Sequence, residues 1–229
     1  MEEIIIVTRS LNEELFSLSG GFLPPSIKRL PLKGFDADTY FYALFDIEAK
    51  WLINIDEDVF LWDFERVLRL KEFMEKGNYA CCGMPDGAVF QDRRHNPLAT
   101  NAFFNILHLE RLKSKFSIED VKNSKCTDSL ESLAPKHLYR NSNFAFDEFE
   151  PYYRFFFWML QKGFPILYLD ALPWARDPIS TLLLDHLGEP MLIHLWYARN
   201  FNEQRPRFAH AYHYCSSLRA ASGTDKENR

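Results

Sequence analysis

The stretch KWLINIDEDVFLWD, residues 50–63, sets three consecutive carboxylates, Asp56, Glu57 and Asp58, between two apolar runs. A carboxylate taken out of water without a partner costs several kcal/mol or takes up a proton, so three side by side at the end of a buried segment call for something positive. Alternation along an extended chain sends Asp56 and Asp58 to one side and Glu57 to the other. Two aligned carboxylates make half of a hard-oxygen site for Mg²⁺ or Mn²⁺, ions that keep their other positions for water and substrate phosphates. The competing reading is that the acids cap the following helix, where negative charge stabilises by a few tenths to about 1 kcal/mol.

The elements around the triplet must bring it to a usable place. Ile4 to Val7 reads as a first strand, with Asn12-Glu13-Glu14 opening a helix; the Gly- and Pro-rich segment Gly20 to Pro25 is loop, and Ile27 to Leu32 a second short strand. Asp36 or Asp38 caps a helix over Thr39 to Lys50, and Trp51 to Ile55 is the strand that delivers the acids. Phe64 to Lys76 has helical spacing and ends at Gly77. A strand over Tyr79 to Met84 leads into the turn Pro85-Asp86-Gly87, then a polar loop, Gln91 to Pro97, carrying Arg93, Arg94 and His95. Asn101 to Leu107 is a strand followed by a helix to Lys115. Ser117 to Asn143 lacks apolar periodicity and is expected to be mobile. Phe149 to Lys162 is a helix closed by Gly163, Pro165 to Leu169 a strand, and Pro190 to Trp196 the last strand. Strands apolar on both faces, alternating with helices, predict an α/β fold: a single domain with a mainly parallel central sheet flanked by helices, over residues 1–214, with a flexible polar tail over 215–229. In such sheets ligands bind beyond the carboxyl ends of the strands, which is where the triplet sits.

Composition narrows the classes. The 229 residues carry a formal net charge of −5 and no Lys/Arg cluster, which argues against nucleic acid as a partner. The N-terminus has neither the basic start nor the apolar stretch of a secretory signal, so a cytoplasmic location is expected. Apolar runs such as Phe155 to Leu160 fall short of the roughly 20 residues that span a bilayer, which leaves peripheral attachment as the form a membrane association would take. The four cysteines form no CxxC pair, and free thiols are expected.

Strand-Asp-x-Asp, here LINIDED after the segment DADTYFYALFDIEAK, resembles the signature of glycosyltransferases with the A-type, nucleotide-diphospho-sugar transferase fold. IIIVTRS is similar to that fold's opening strand and nucleotide-facing loop, EFEPYYRFFFWMLQKGFPILYLD to a late acid-led helix and strand, and IHLWYARN to a final strand whose His reaches the metal in some members. Most of residues 1–200 can be laid on that order of elements. The resemblance implies transfer of a sugar from a nucleoside-diphosphate sugar to an acceptor hydroxyl of a glycan or lipid-linked glycan, with Mn²⁺ or Mg²⁺ neutralising the diphosphate leaving group. It implies Asp56, Asp58 and His194 as metal ligands, and Thr8, Arg9, Asp56, Glu57 and Arg199 on the donor side. Asp86, Asn101 and Trp196 fall on the acceptor side, with Trp196 and Tyr197 as a stacking surface for a sugar face or as core. An inverting transfer needs a base, and Glu150, Asp147 and Glu148 are its candidates, in that order; each is also a helix-cap candidate. The rivals are a nucleotidyltransferase of similar architecture, disfavoured by the lack of glycine in IIIVTRSLNEE, and a non-catalytic nucleotide-sugar-binding module.

Overall fold

The computed structural model describes residues 2–87, 89, 95–139 and 143–227. β1 (Glu2–Arg9) is built on five β-branched residues and runs parallel to β2 (Arg29–Leu32) on one side and to β3 (Ala49–Ile55) on the other. β3 pairs antiparallel with β6 (Phe104–Leu107), β6 antiparallel with β5 (Cys81–Gly83), and β5 parallel with β7 (Ile166–Tyr168). The order β2-β1-β3-β6-β5-β7 is thus a mostly parallel six-stranded sheet with one reversed strand. Pro31 sits in the edge strand β2, where a missing N–H removes nothing essential from the ladder.

Strand alternation divides the core. Ile6, Trp51, Ile53 and Ile55 join one apolar cluster, and Ile5, Val7 and Leu52 the other, which is why β1 and β3 read as unbroken apolar runs. The first face is covered by α3 (Phe64–Lys76), through Val67, Leu70 and Met74. Tyr40 and Phe41 of α2 (Ala37–Ala43) and the inward side of α7 (Tyr153–Gln161), with Phe155, Phe156 and Trp158, cover the second. The first face also meets a second, antiparallel sheet, in the order β4-β10-β9-β8: β4 (Val59–Leu61), β10 (Pro190–His194), β9 (Asp177–Leu184) and β8 (Ala171–Trp174).

That second sheet is not in the sequence reading, which assigns no strand between Leu169 and Pro190. Two prolines mask it: Pro173 lies in the edge strand β8 and Pro178 next to the β8–β9 turn, positions where proline is tolerated. Other boundaries move as well. The helix expected over Thr39 to Lys50 is capped by Asp36, stops at Ala43 and passes through a 3₁₀ turn, because Ala49 and Lys50 are already strand, paired beside β1. The helix expected from Phe149 begins at Tyr153, so Pro151 precedes it rather than opening it. The segment expected to be mobile holds α5 (Ile118–Asn123) and α6 (Asp128–Glu131), which bury Val121 and Leu130 against α7; single anchors on very short helices leave no period to read. The expected tail boundary at 214/215 falls inside α8 (Arg205–Glu227), whose Phe208, Ala211 and Cys215 are core. Arg93 and Arg94, with most of their loop, lie outside the described residues; the cysteines are free thiols.

α1 (Glu13–Gly20) starts at the Asn12 cap, and α4 (Leu109–Lys113) follows β6 directly. Gly83 marks the tightest approach in the sheet: a Cβ there would stand 2.5 Å from Asn105 Nδ2, 2.8 Å from Thr100 Cβ and 2.9 Å from the Phe104 carbonyl oxygen. Gly83→Ala is therefore expected to destabilise the fold by about 1–3 kcal/mol, the usual cost of overpacking, read as a lower urea midpoint at unchanged slope. An unchanged midpoint would mean that β5 and β6 part without penalty.

Candidate metal centre and cleft

β3 ends at Ile55, and the chain turns through Asp56-Glu57-Asp58 before β4 begins at Val59. β4 pairs with β10 so that Val59 stands opposite His194, which brings the imidazole to the neighbouring Asp58. His194 Nε2 is 3.3 Å from Asp58 Oδ1, and both side chains are buried. Asp56, 17% exposed, completes a group whose ligand atoms all lie within 4.8 Å of one another, close to the roughly 4 Å spread of donors around a small dication. The imidazole stacks on Phe103 and meets the tilted Trp196 ring beside it, each ring centred 4.2 Å away.

Glu57 lies in the turn after β3 and is engaged differently from its two neighbours. Its carboxylate accepts from the backbone N–H groups of Leu11 and Asn12 at 3.0–3.1 Å, fixing the loop between β1 and α1. The capping explanation of the triplet is thereby divided: Glu57 does serve a helix start, that of α1, while α3 is capped by Asp63. Asp56 and Asp58 remain for another purpose.

Electrostatics agree with a cation between them. Burial pushes the Asp56 carboxyl up to about 6, against the Arg9 guanidinium 3.9 Å away and with a further push from Asp58. Burial raises Asp58 too, but the charge and hydrogen bond of His194 outweigh it, and the net direction is down. Nδ1 of His194 is buried without a hydrogen-bond partner. Two carboxylates and an imidazole so placed fit Mn²⁺ or Mg²⁺, which would offset the like charges.

The group lines a cleft of about 580 Å³, within the range of small-molecule sites. Arg9, Glu57, Asn101, Glu150, Trp196 and Arg199 share that lining, so most of the sequence-predicted residues converge there. Arg9 also lies over the Tyr40 ring, 5.8 Å from its centre. Thr8 does not join them: it is fully buried and its hydroxyl accepts from Arg29 Nε. Asp86 does not either. Its carboxylate is fully buried, accepting from Asn101 Nδ2 at 2.6 Å and the Tyr153 hydroxyl at 2.5 Å, which makes it a support beneath Asn101 rather than an acceptor contact. Of the three base candidates Glu150 alone lines the cleft. Glu148 pairs with Arg154 at 3.0 Å, and the Asp147 carboxylate accepts from Phe149 N–H. None caps α7, whose N-cap, Tyr152, has no side-chain cap bond.

The sequence reading missed Leu11, Tyr152 and Asn200 in the lining, and the backbone that shapes one wall. Trp196 and Tyr197 are both left-handed, with φ of 59° and 60°, a conformation that costs bulky residues about 1–3 kcal/mol each. No one-dimensional pattern signals it.

No protein-family model matches the chain, and no curated protein matches it. Among solved structures, one described as "Crystal Structure of A197 from STIV" is similar at a TM-score of 0.40 and 10% identity, over 84% of this chain and 94% of that one.

Proposed function

We propose that the chain is a divalent-metal-dependent glycosyltransferase of the nucleotide-diphospho-sugar transferase type, moving a sugar from a nucleoside-diphosphate donor to the hydroxyl of a glycan or lipid-linked glycan acceptor with inversion. The observation that carries the reading is the placement of Asp56, Asp58 and His194 around one point at the carboxyl end of β3, inside a cleft that also holds Arg9 and Arg199. A bound divalent ion supplies Lewis-acid neutralisation of the diphosphate leaving group. Asp56, Asp58 and His194 would hold it, and contacts with Phe103 and Trp196 orient the imidazole before binding. Arg9 and Arg199 offer planar donor forks to phosphate oxygens. Glu150 takes the acceptor proton, and Asn101, oriented by Asp86, meets the acceptor. No helix among the described residues is long and apolar enough to cross a membrane, so a lipid-linked acceptor would be met at a membrane surface.

Melting curves test the reading directly. With Mn²⁺ and a nucleoside-diphosphate sugar at about 100 times its dissociation constant, stabilisation of about 2.7 kcal/mol should raise Tm by about 5–10 °C, and EDTA should abolish the shift. A panel of uridine and guanosine diphosphates and their sugar conjugates that leaves Tm unmoved, with and without Mn²⁺, rejects the proposal.

A further inference from the structure

We infer that the Trp196–Tyr197 turn is a built part of the ligand site: Arg207 is the positioning residue that holds it, and Tyr197 is the surface on which a ring of the bound ligand, base or sugar, stacks. The inference rests on the reading of the cleft as a nucleotide-sugar site.

At its other left-handed positions the described chain uses glycine, at 34, 87, 163 and 188, or asparagine, at 78, which pay little for a positive φ. Only here does it place two bulky aromatics in succession. A fold that merely had to turn would not choose them, and such conformers persist where the surroundings over-determine them. That over-determination can be followed atom by atom. The Arg207 guanidinium, from α8, donates to the carbonyl oxygens of Leu195 and Trp196, to Gln204 Oε1, and to Asp177 and Ser180 of β9. All five of its N–H groups are engaged, a fork geometry that lysine cannot reproduce. The Trp196 indole N–H donates to Thr181 Oγ1 at 2.9 Å, tying the turn to β9 a second time. Trp196 is thereby packed on the metal-site imidazole, while Tyr197 is delivered to the cleft wall with 59% of its surface exposed. An exposed ring on a tied-down backbone beside a polar cleft is suited to stacking.

The experiment compares Tyr197→Gly, Tyr197→Phe, Arg207→Lys and the core control Val67→Ala by calorimetry and melting, with MnCl₂ alone, Mn²⁺ with uridine or guanosine diphosphate, and Mn²⁺ with their glucose conjugates. Tyr197→Gly should melt at or above the parent, since glycine relieves the left-handed strain. Its Mn²⁺ affinity should match the parent's, and its affinity for the Mn²⁺-dependent ligand should fall about tenfold, as for a lost stacking contact. Tyr197→Phe should restore it. Loss with the bare diphosphate assigns the ring to the base; loss only with the conjugate assigns it to the sugar. Arg207→Lys should weaken Mn²⁺ binding through His194, whereas Val67→Ala lowers Tm without doing so. Tyr197→Gly binding every probe as the parent does, or melting several degrees lower, overturns the inference, as does Arg207→Lys leaving Mn²⁺ affinity at the parental value. A parent that binds no probe overturns the reading of the cleft, and this inference with it.

Discussion

Asp58→Asn should abolish Mn²⁺-dependent binding of the nucleotide sugar, with affinity falling at least about 100-fold, while the protein remains folded. The asparagine keeps the shape of the side chain and an oxygen that still accepts from His194 Nε2, 3.3 Å away in the parent, so the packing of the buried pair is conserved. What disappears is the charge, and a hard dication bound through oxygen depends on it. A factor of 100 corresponds to about 2.7 kcal/mol, modest for a carboxylate ligand removed from a site with few others. Calorimetry gives the affinity, and a melting curve without metal shows whether the fold survives. Asp56→Asn is the companion variant. Asp56 and Asp58 are buried like charges with one guanidinium 3.9 Å from Asp56, so neutralising Asp56 should leave the metal-free Tm unchanged or raise it while weakening Mn²⁺ binding in the same sense. Residues kept at a cost to stability are the mark of a functional site. Parental Mn²⁺ affinity in both variants would place the ion elsewhere; loss of the fold in both would make the acids structural.

The same residues show how far one dimension reaches. The strand that carries the triplet was legible because its apolar run is bounded by charge, whereas alternation does not reach Glu57, which sits in the turn after Ile55. α3 was legible to the residue, since its apolar spacing and the closing Gly77 agree with one another. His194 came into view only through the resemblance of IHLWYARN, because a histidine closing an apolar strand is ordinary until the β4–β10 register sets it beside Asp58. That register belongs to a sheet whose two other strands contain prolines, and the sequence reading assigns neither of them. Asp86 was misplaced for a related reason. A Pro-Asp-Gly turn suggests exposure, and the tyrosines that bury this one come from residues 139, 152 and 153, more than 50 positions away. The left-handed Trp196–Tyr197 turn has no signal in its own residues: the guanidinium that meets the Leu195 and Trp196 carbonyl oxygens comes from Arg207 of the following helix. Propensity describes local preference; the cleft is made where tertiary contacts override it.

Glu150→Gln should lower kcat by about 10²–10⁴-fold with donor affinity nearly unchanged, and Glu148→Gln and Asp147→Asn should do neither. A group that only removes the acceptor proton acts in the chemical step, so its loss leaves the ground-state complex with the donor as it was. The geometry chooses among the three acids where the sequence could not. Glu150 lines the same cleft as Asp58, Asn101 and Tyr152, half-buried just before α7, and its backbone carbonyl accepts from Tyr153 N–H, which fixes the residue at the helix mouth. Glu148 is exposed and already paired with Arg154, and Asp147 spends its carboxylate on the Phe149 N–H. Neither lines the cleft. The measurement is the single-turnover rate beside donor affinity for each amide variant, once an acceptor is known. Glu150→Gln turning over at the parental rate removes the inverting assignment from this cluster. The search for a base then cannot fall back on Asp86, whose carboxylate is enclosed by Asn101 and the tyrosine hydroxyls, and a retaining mechanism takes precedence. A parent that binds the Mn²⁺–donor complex but transfers sugar to no acceptor, with Glu150→Gln binding equally well, gives the cleft to the non-catalytic alternative, a module that holds a nucleotide sugar without spending it.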